Sequence, residues 1–274
     1  MALALRAPRR VAVIARKGGV GKTTTTVQLA MALAVIYQIR VLVVDHDPQG
    51  NATARLGVKE GEPARTLNDV YTWVLSSEHG IAPAIHPTPW PGVYVVAAEE
   101  SLKSREPEGE HLVHHRLRLA FERSDAELAE LGIGAVLIDT PPGTGALLLN
   151  AILGAHAVVV VTDPEPDGLT GAHKAVQAAQ SIKATQHPDL ELLGIIVNRF
   201  DPAIGEHGRC CADLVAAHGD LVWTPWVSER ASVKTARGLK RPVQEIRDNG
   251  GRAYVRQLNN HARRLGAALG LKES

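Results

Sequence analysis

Three segments of this chain are apolar at every position: Val41-Leu42-Val43-Val44, Ala135-Val136-Leu137-Ile138 and Val158-Val159-Val160-Val161. A strand with one face in water alternates polar and apolar residues, whereas an unbroken Val/Ile/Leu run suits a strand covered on both faces. Similar runs recur, so strands are predicted at Arg10–Ala15, Val41–Asp45, Val93–Ala97, Ala135–Asp139, Val158–Thr162, Leu192–Asn198 and Leu221–Thr224. Helical patterns separate them, at Thr23–Tyr37, Thr66–Ser76, Glu110–Arg123, Asp125–Leu131, Gly145–Leu153, Gly168–Ala184, Glu206–His218 and Gly251–Leu269. Repeated β-α-β order with right-handed crossovers predicts one α/β domain, a doubly wound, mostly parallel sheet flanked by helices. Its core spans about residues 10–250, with a C-terminal helix over 251–269. The stretch from Lys59 to Pro91, rich in Pro, Gly and His, reads as a surface excursion.

At 274 residues such a domain buries enough apolar surface to stand without staples. Cys210 and Cys211 are the only cysteines, and neighbours in sequence rarely form a structural disulfide, so a reducing cytoplasmic setting is expected. No segment has the length and apolarity to span a bilayer, and the first ten residues do not make a secretory signal. The net charge is +1, but it is unevenly spread. From Glu229 to Ser274 there are 11 Lys+Arg against 4 Asp+Glu, while the rest of the chain has 19 against 25. A basic C-terminal quarter on an acidic body is suited to steer a polyanion onto one face.

The first predicted strand runs into Lys17-Gly18-Gly19-Val20-Gly21-Lys22-Thr23-Thr24, and a helix follows. Strand, glycine-rich turn and helix N-terminus together make a phosphate cradle: backbone N–H groups point inward and the helix end adds partial positive charge. Lys22 is placed to reach β- and γ-phosphates and Thr23 to ligate Mg²⁺. The strict G-x-x-x-x-G-K-[ST] pattern would have glycine at position 16, where this chain has Arg16 beside an additional lysine, Lys17. Two further strand ends carry acids. The second leads into Asp45-His46-Asp47-Pro48-Gln49-Gly50-Asn51, and the fourth into Asp139-Thr140-Pro141-Pro142-Gly143, where an acid can hold Mg²⁺.

These three segments resemble the deviant Walker A, A′ and B motifs of the ParA/MinD family of ATPases, and the likeness in motif order runs from about Val11 to the end of the chain. The resemblance implies an ATP- and Mg²⁺-dependent homodimeric switch. In it Lys17 reaches across the dimer to the partner's nucleotide, Asp47 positions the attacking water, and Asp45 and Asp139 serve the Mg²⁺ shell. Asn198, in Asn198-Arg199-Phe200-Asp201, and Pro225 would flank the base; the family's use of ATP favours adenine over the guanine that an N-K-x-D motif reads.

Within the family, Asp47-Pro48-Gln49-Gly50-Asn51-Ala52-Thr53 is similar to ParA partition proteins. That reading expects nonspecific double-stranded DNA as a partner, a ParB-like centromere-binding protein that stimulates slow hydrolysis, and a nucleoid-associated location. It expects no N-terminal helix-turn-helix domain. Arg230, Lys234, Arg237, Lys240 and Arg241, with Arg252, Arg256, Arg263 and Arg264, are the candidate DNA contacts. The alternatives are a MinD-like ATPase that lays Gly251–Leu269 on a membrane, a positioning ATPase for another cargo, and a metabolic relative such as a nitrogenase iron protein or a dethiobiotin synthetase. The iron-protein version requires separated cysteines, which Cys210-Cys211 does not provide. His111, His114 and His115 have a helical spacing compatible with a metal but no acidic partner to match, and are read as a solvated helix face.

Overall fold

The computed structural model describes residues 7–59, 61–106 and 114–273. Eight strands form one sheet in the order β3-β4-β2-β5-β1-β6-β7-β8. The central strands are β1 (Arg9–Ile14), β2 (Arg40–Asp45), β5 (Ile133–Asp139), β6 (Ala157–Thr162) and β7 (Glu191–Val197), flanked by β4 (Val93–Val96) and β8 (Val222–Trp223). All these pairings are parallel, and all seven strands fall where the apolar runs predict them. The eighth, β3 (Ile85–Pro87), pairs antiparallel with β4 at one edge and lies in the stretch read as irregular. Three residues that include a proline carry too little pattern to be seen in sequence; an edge is where a strand with proline is tolerated.

Side chains of alternate residues enter two separate cores. Ala12, Ile14, Leu42, Val44, Val136, Ile138, Val158 and Val160 point into one. Helices α3 (Leu67–Trp73), α4 (Arg116–Glu130), α5 (Ala146–Gly154), α6 (Pro166–Thr185) and α7 (Gly205–His218) cover it. Val11, Val13, Val41, Val43, Ala135, Leu137, Val159 and Val161 point into the other, under α1 (Lys22–Tyr37), α2 (Asn51–Arg55), α8 (Ala231–Leu239) and α9 (Asn249–Ala268). Both faces are therefore dry, as the unbroken runs require. Helix α1 is buried on nearly every side, between the sheet and α9, as suits a helix apolar all round. Helix α9 buries Tyr254, Leu258, Ala262 and Leu265 on one stripe and exposes Arg252, Arg256, Arg263 and Arg264 on the other.

Where two helices are predicted over Glu110–Arg123 and Asp125–Leu131, the described part is one continuous helix. Ser124, which the sequence reading leaves as a break, is buried inside it and accepts a hydrogen bond from the Ala82 N–H (3.0 Å). Residues 110–113 and His111 lie outside the described residues. Helices α2 and α8 have no counterpart among the predicted elements. No helix among the described residues is long and apolar enough to cross a membrane.

Candidate functional site

The carboxyl ends of β1, β2 and β5 meet at one edge of the sheet, where ligands of open α/β sheets bind. Asp45 and Asp139 are in register on neighbouring strands, and Asp139 is in register with Val13, three residues before Arg16. The loop from Lys17 to Gly21 leaves β1 there and enters α1. Gly19 and Gly21 hold φ of +81° and +89°, in the left-handed region that favours glycine. At Gly21 there is also no room: a Cβ would stand 2.1 Å from Asn198 Nδ2.

Lys22 Nζ donates to Asp139 Oδ1 (2.7 Å), and the Thr26 hydroxyl donates to the same oxygen (3.0 Å). Both ends of this ion pair are buried, Lys22 at 7% and Asp139 at 0% exposure. Asp139 Oδ2 is buried and has no hydrogen-bond partner among the described residues. An orphaned carboxylate oxygen beside the loop is a fit for a hard divalent cation. Thr23 lies in the cleft wall, one residue after the Lys22 that pairs with Asp139. Among the described residues no group of three or more His, Cys, Asp or Glu side chains is placed to hold a metal. The donor set therefore suits Mg²⁺, which takes one or two protein oxygens and completes its shell with phosphate and water.

Asp45 stands beside Asp139 at the end of the neighbouring strand. It is fully buried and does not line the cleft. Its Oδ2 accepts from the N–H and hydroxyl of Thr53, both at 2.8 Å, and its Oδ1 from the N–H of Asp47 (3.3 Å). Asp45 thus clamps the loop that carries Asp47; like Asp139 it is fully buried and outside the cleft lining, but both its oxygens already accept hydrogen bonds. Burial, then the neighbouring charge of Asp139, pushes its pKa up to about 7. Asp47 does line the cleft, and burial raises its pKa while the N–H of Gln49 (3.0 Å) opposes the shift. Between the two acids, His46 points away into the core, its Nε2 2.5 Å from the Tyr71 hydroxyl; burial lowers its pKa to about 3, so it stays neutral.

The raised Asp45 pKa fixes a sign. The folded protein holds this proton up to about pH 7, whereas the unfolded chain releases it near 3.8, so the folded state binds more protons between those values. Stability contributed by protonated Asp45 is therefore lost as pH rises through that window. Asp45→Asn should lessen the fall in stability of the ligand-free protein between pH 6 and pH 8. Urea titrations of both proteins at the two pH values measure it as a difference, in which the buried histidines cancel; parallel pH profiles would contradict the assignment.

Lys17 leaves the other end of the loop. Its ammonium donates to Glu165 Oε2 (2.8 Å) and Asp163 Oδ2 (3.1 Å) in the turn between β6 and α6. The hydrogen bond to Glu165 is the main cause of its raised pKa. Arg16, where the strict motif has glycine, donates to the Gly143 carbonyl (3.0 Å) and ties the loop to the segment after β5.

A cleft of about 460 Å³ opens over these groups. Lys17 to Thr24, Asp47 and Asn198 line it, as the sequence predicts. Asn198 spends its amide N–H on the Val20 carbonyl (2.8 Å), so it holds the loop from below as well as facing the cleft. Pro225, reached through a cis Thr224–Pro225 peptide, is not in the wall. Arg230, Lys234 and Arg237, read as DNA contacts, line the cleft from the start and body of α8, with Lys234 and Arg237 exposed. Lys240 caps α8, and Arg241, Arg252 and Arg256 are exposed outside. Sequence reading missed Arg55, Arg199, Glu229 and Tyr254, all in the wall. Arg199 donates to the Gly19 carbonyl (3.1 Å), a second tie on the loop. Cys210 and Cys211 are buried on α7, and burial raises both thiol pKa values. His114 and His115 precede α4.

Residues 8–192 match a family model described as an AAA domain. The chromosome partitioning protein ParA of Caulobacter vibrioides is 33% identical over 254 residues, covering 91% of this chain and 92% of that protein. The sporulation initiation inhibitor protein Soj of Bacillus subtilis is 30% identical, covering 89% and 94%. Among solved structures, cobyrinic acid a,c-diamide synthase from Mycobacterium smegmatis with bound ADP and magnesium superposes with a TM-score of 0.71. It is 28% identical and covers 85% of this chain and 92% of that one. With this likeness along nearly its whole length, and a phosphate loop carrying lysines at both ends, the chain belongs to the ParA family of P-loop ATPases.

Proposed function

We propose that this protein is an ATP-dependent dimerising switch that binds nonspecific DNA and moves plasmid or chromosomal DNA, its slow hydrolysis stimulated by a ParB-like centromere-binding partner. ATP with Mg²⁺ occupies the cleft: the loop amides and Lys22 take the phosphates, while Thr23 and the free oxygen of Asp139 face the cation. Bound Mg²⁺ supplies charge neutralisation across the β- and γ-phosphates. Asp47, in the wall and held by the Asp45 clamp, orients the attacking water. The observation that carries the switch reading is the position of Lys17, a second lysine at the loop whose partners are Asp163 and Glu165 and not the Lys22–Asp139 centre. Such a lysine is surplus to phosphate binding within one subunit and is available to a partner's nucleotide.

The membrane alternative depends on α9 offering an apolar face. That face is occupied: Tyr254, Leu258, Ala262 and Leu265 are at most 1% exposed against α1 and the sheet. What α9 leaves outside is cationic, which favours DNA. With Arg230, Lys234 and Arg237 turned to the cleft, the DNA surface is assigned to Lys240, Arg252 and Arg256, all exposed. Changing these three to Glu should weaken binding to all sequences alike in the ATP state. The salt dependence of log K should be shallower by roughly 3, at about 0.9 for each phosphate no longer neutralised. Filter binding across a salt series with ATP and with ADP tests it. DNA affinity equal in wild type and variant would remove these residues, and ATP-dependent liposome binding would favour the membrane reading.

A further inference from the structure

Most cations around the cleft already have an anion. Lys17 has Asp163 and Glu165, Lys22 has Asp139, and Arg199 and Lys234 share Glu229. One corner is different. Arg55, at the end of α2, and Arg237, on α8, form no ion pair with any described residue and line one crevice. Burial is the largest cause of the lowered Arg55 pKa; on it the charge of Asp139 acts upward and that of Arg237 downward. Arg55 donates to the Thr24 hydroxyl, which leaves the rest of its guanidinium free to bind something else. Tyr254 forms the back of the corner. It is 1% exposed, lies in the cleft wall, and its hydroxyl is buried without a hydrogen-bond partner.

Two like charges lining one crevice and an orphaned hydroxyl are each unfavourable without a ligand. All three groups are hydrogen-bond donors, and one anion between them satisfies all three at once. The crevice behind the corner, between Arg55, Trp90 and Arg237, has only about 10 Å³, room for about one water. An anion bound by these residues therefore sits on the cleft side, beside Thr24, next to the nucleotide's own phosphates. Planar guanidinium forks match the oxygens of a phosphate monoester, and an arginine pair with a hydroxyl is a donor set for such a dianion.

We propose that Arg55, Arg237 and Tyr254 form a second phosphate site in the cleft, which takes a phosphoryl group lying outside the triphosphate chain. Two sources carry that chemistry: a phosphate on the ribose of the bound nucleotide, and free inorganic phosphate. The proposal rests on the nucleotide reading for the first source only. It also separates these side chains from the DNA surface assigned to Lys240, Arg252 and Arg256.

The test uses the full chain and titrates three probes by calorimetry: ADP, ADP bearing a 3′-phosphate, and inorganic phosphate added to the ADP-saturated protein. In wild type the 3′-phosphorylated nucleotide should bind at least tenfold more tightly than ADP, which identifies the ribose phosphate as the ligand. A ratio near one with saturable phosphate binding to the ADP complex identifies the free ion and also supports the site. In Arg237→Gln and in Tyr254→Phe whichever preference is found should collapse, the Phe variant preserving the packing of α9. Failure of ADP itself to bind would overturn the nucleotide reading and leave the phosphate arm to be read on the free protein. ADP binding with a ratio of one and no phosphate binding overturns the second site. So does a preference that both variants leave unchanged, or a loss of DNA binding in Arg237→Gln as large as in Lys240→Glu.

Discussion

Lys22→Ala is expected to abolish ATP binding and, in the absence of any ligand, to destabilise the protein. The two losses share one cause. Among the described residues Lys22 is the sole ion-pair partner of a carboxylate with 0% exposure, and its removal leaves Asp139, among them, with the Thr26 hydroxyl. Removing one member of a buried pair costs about 3–5 kcal/mol. At roughly 2–4 °C per kcal/mol for a chain of this size class, the melting temperature should fall on the order of 10 °C. ATP at about a thousand times its Kd should stabilise wild type by about 4 kcal/mol and the variant not at all. Combining Lys22→Ala with Asp139→Asn separates the effects, because the second change removes the stranded charge. Stability should partly return while ATP binding does not. Thermal melts with and without MgATP are the measurement, and a single variant that melts normally and still responds to ATP would sink the assignment of Lys22.

Lys17→Ala should leave nucleotide binding within a few-fold of wild type and reduce hydrolysis by about 10³-fold or more, the scale of a cation supplied to the transferring phosphoryl group from a partner. Its ammonium is 29% exposed and held by Asp163 and Glu165, so the change removes no element of the Lys22–Asp139 centre. ATP-dependent dimerisation should be lost with it. Light scattering with ATP, alongside phosphate release, decides the matter. A variant that stays monomeric yet turns over at the wild-type rate would show that catalysis needs no partner, and one that dimerises and hydrolyses normally would leave Lys17 without a role.

Much of this site was legible because its residues sit where regular elements end. A run such as Val41–Val44 is visible as a strand, so the residue after it is located at the sheet's carboxyl edge without further information. Lys22, Asp47 and Asp139 were found in that way. Asp45 was placed at the correct strand end, but its hydrogen bonds to Thr53 are set by α2, a five-residue helix too short to have a periodicity of its own. Arg55, on that same helix, was missed for the same reason. Helix α8 contains Ser, Val, Thr and Gly, poor helix formers that packing against α9 overrides. Even so, Arg230, Lys234 and Arg237 are spaced by four and three, one helical face, a spacing that points them in a common direction. Which direction is a tertiary fact. Tyr254 falls on the apolar stripe of α9, and a sequence does not show that this stripe reaches the cleft wall.

The insertion of β5 between β1 and β2 sets an order of events during synthesis. The phosphate loop and both acids of the Asp45–Asp47 segment leave the ribosome early, but β1 and β2 do not touch each other, and only the later strand joins them. A nascent chain that has reached Asp47 therefore carries the loop sequence without the sheet edge that shapes it, and Lys22 has no counter-ion. At about 5–20 residues per second, the 94 residues from Asp45 to Asp139 add a delay on the order of 5–20 s. During that interval β2 can pair with β4, but β1 has neither of its sheet neighbours, β5 and β6. Nucleotide therefore cannot assist the first half of folding and acts as a ligand only once the middle of the sheet has closed.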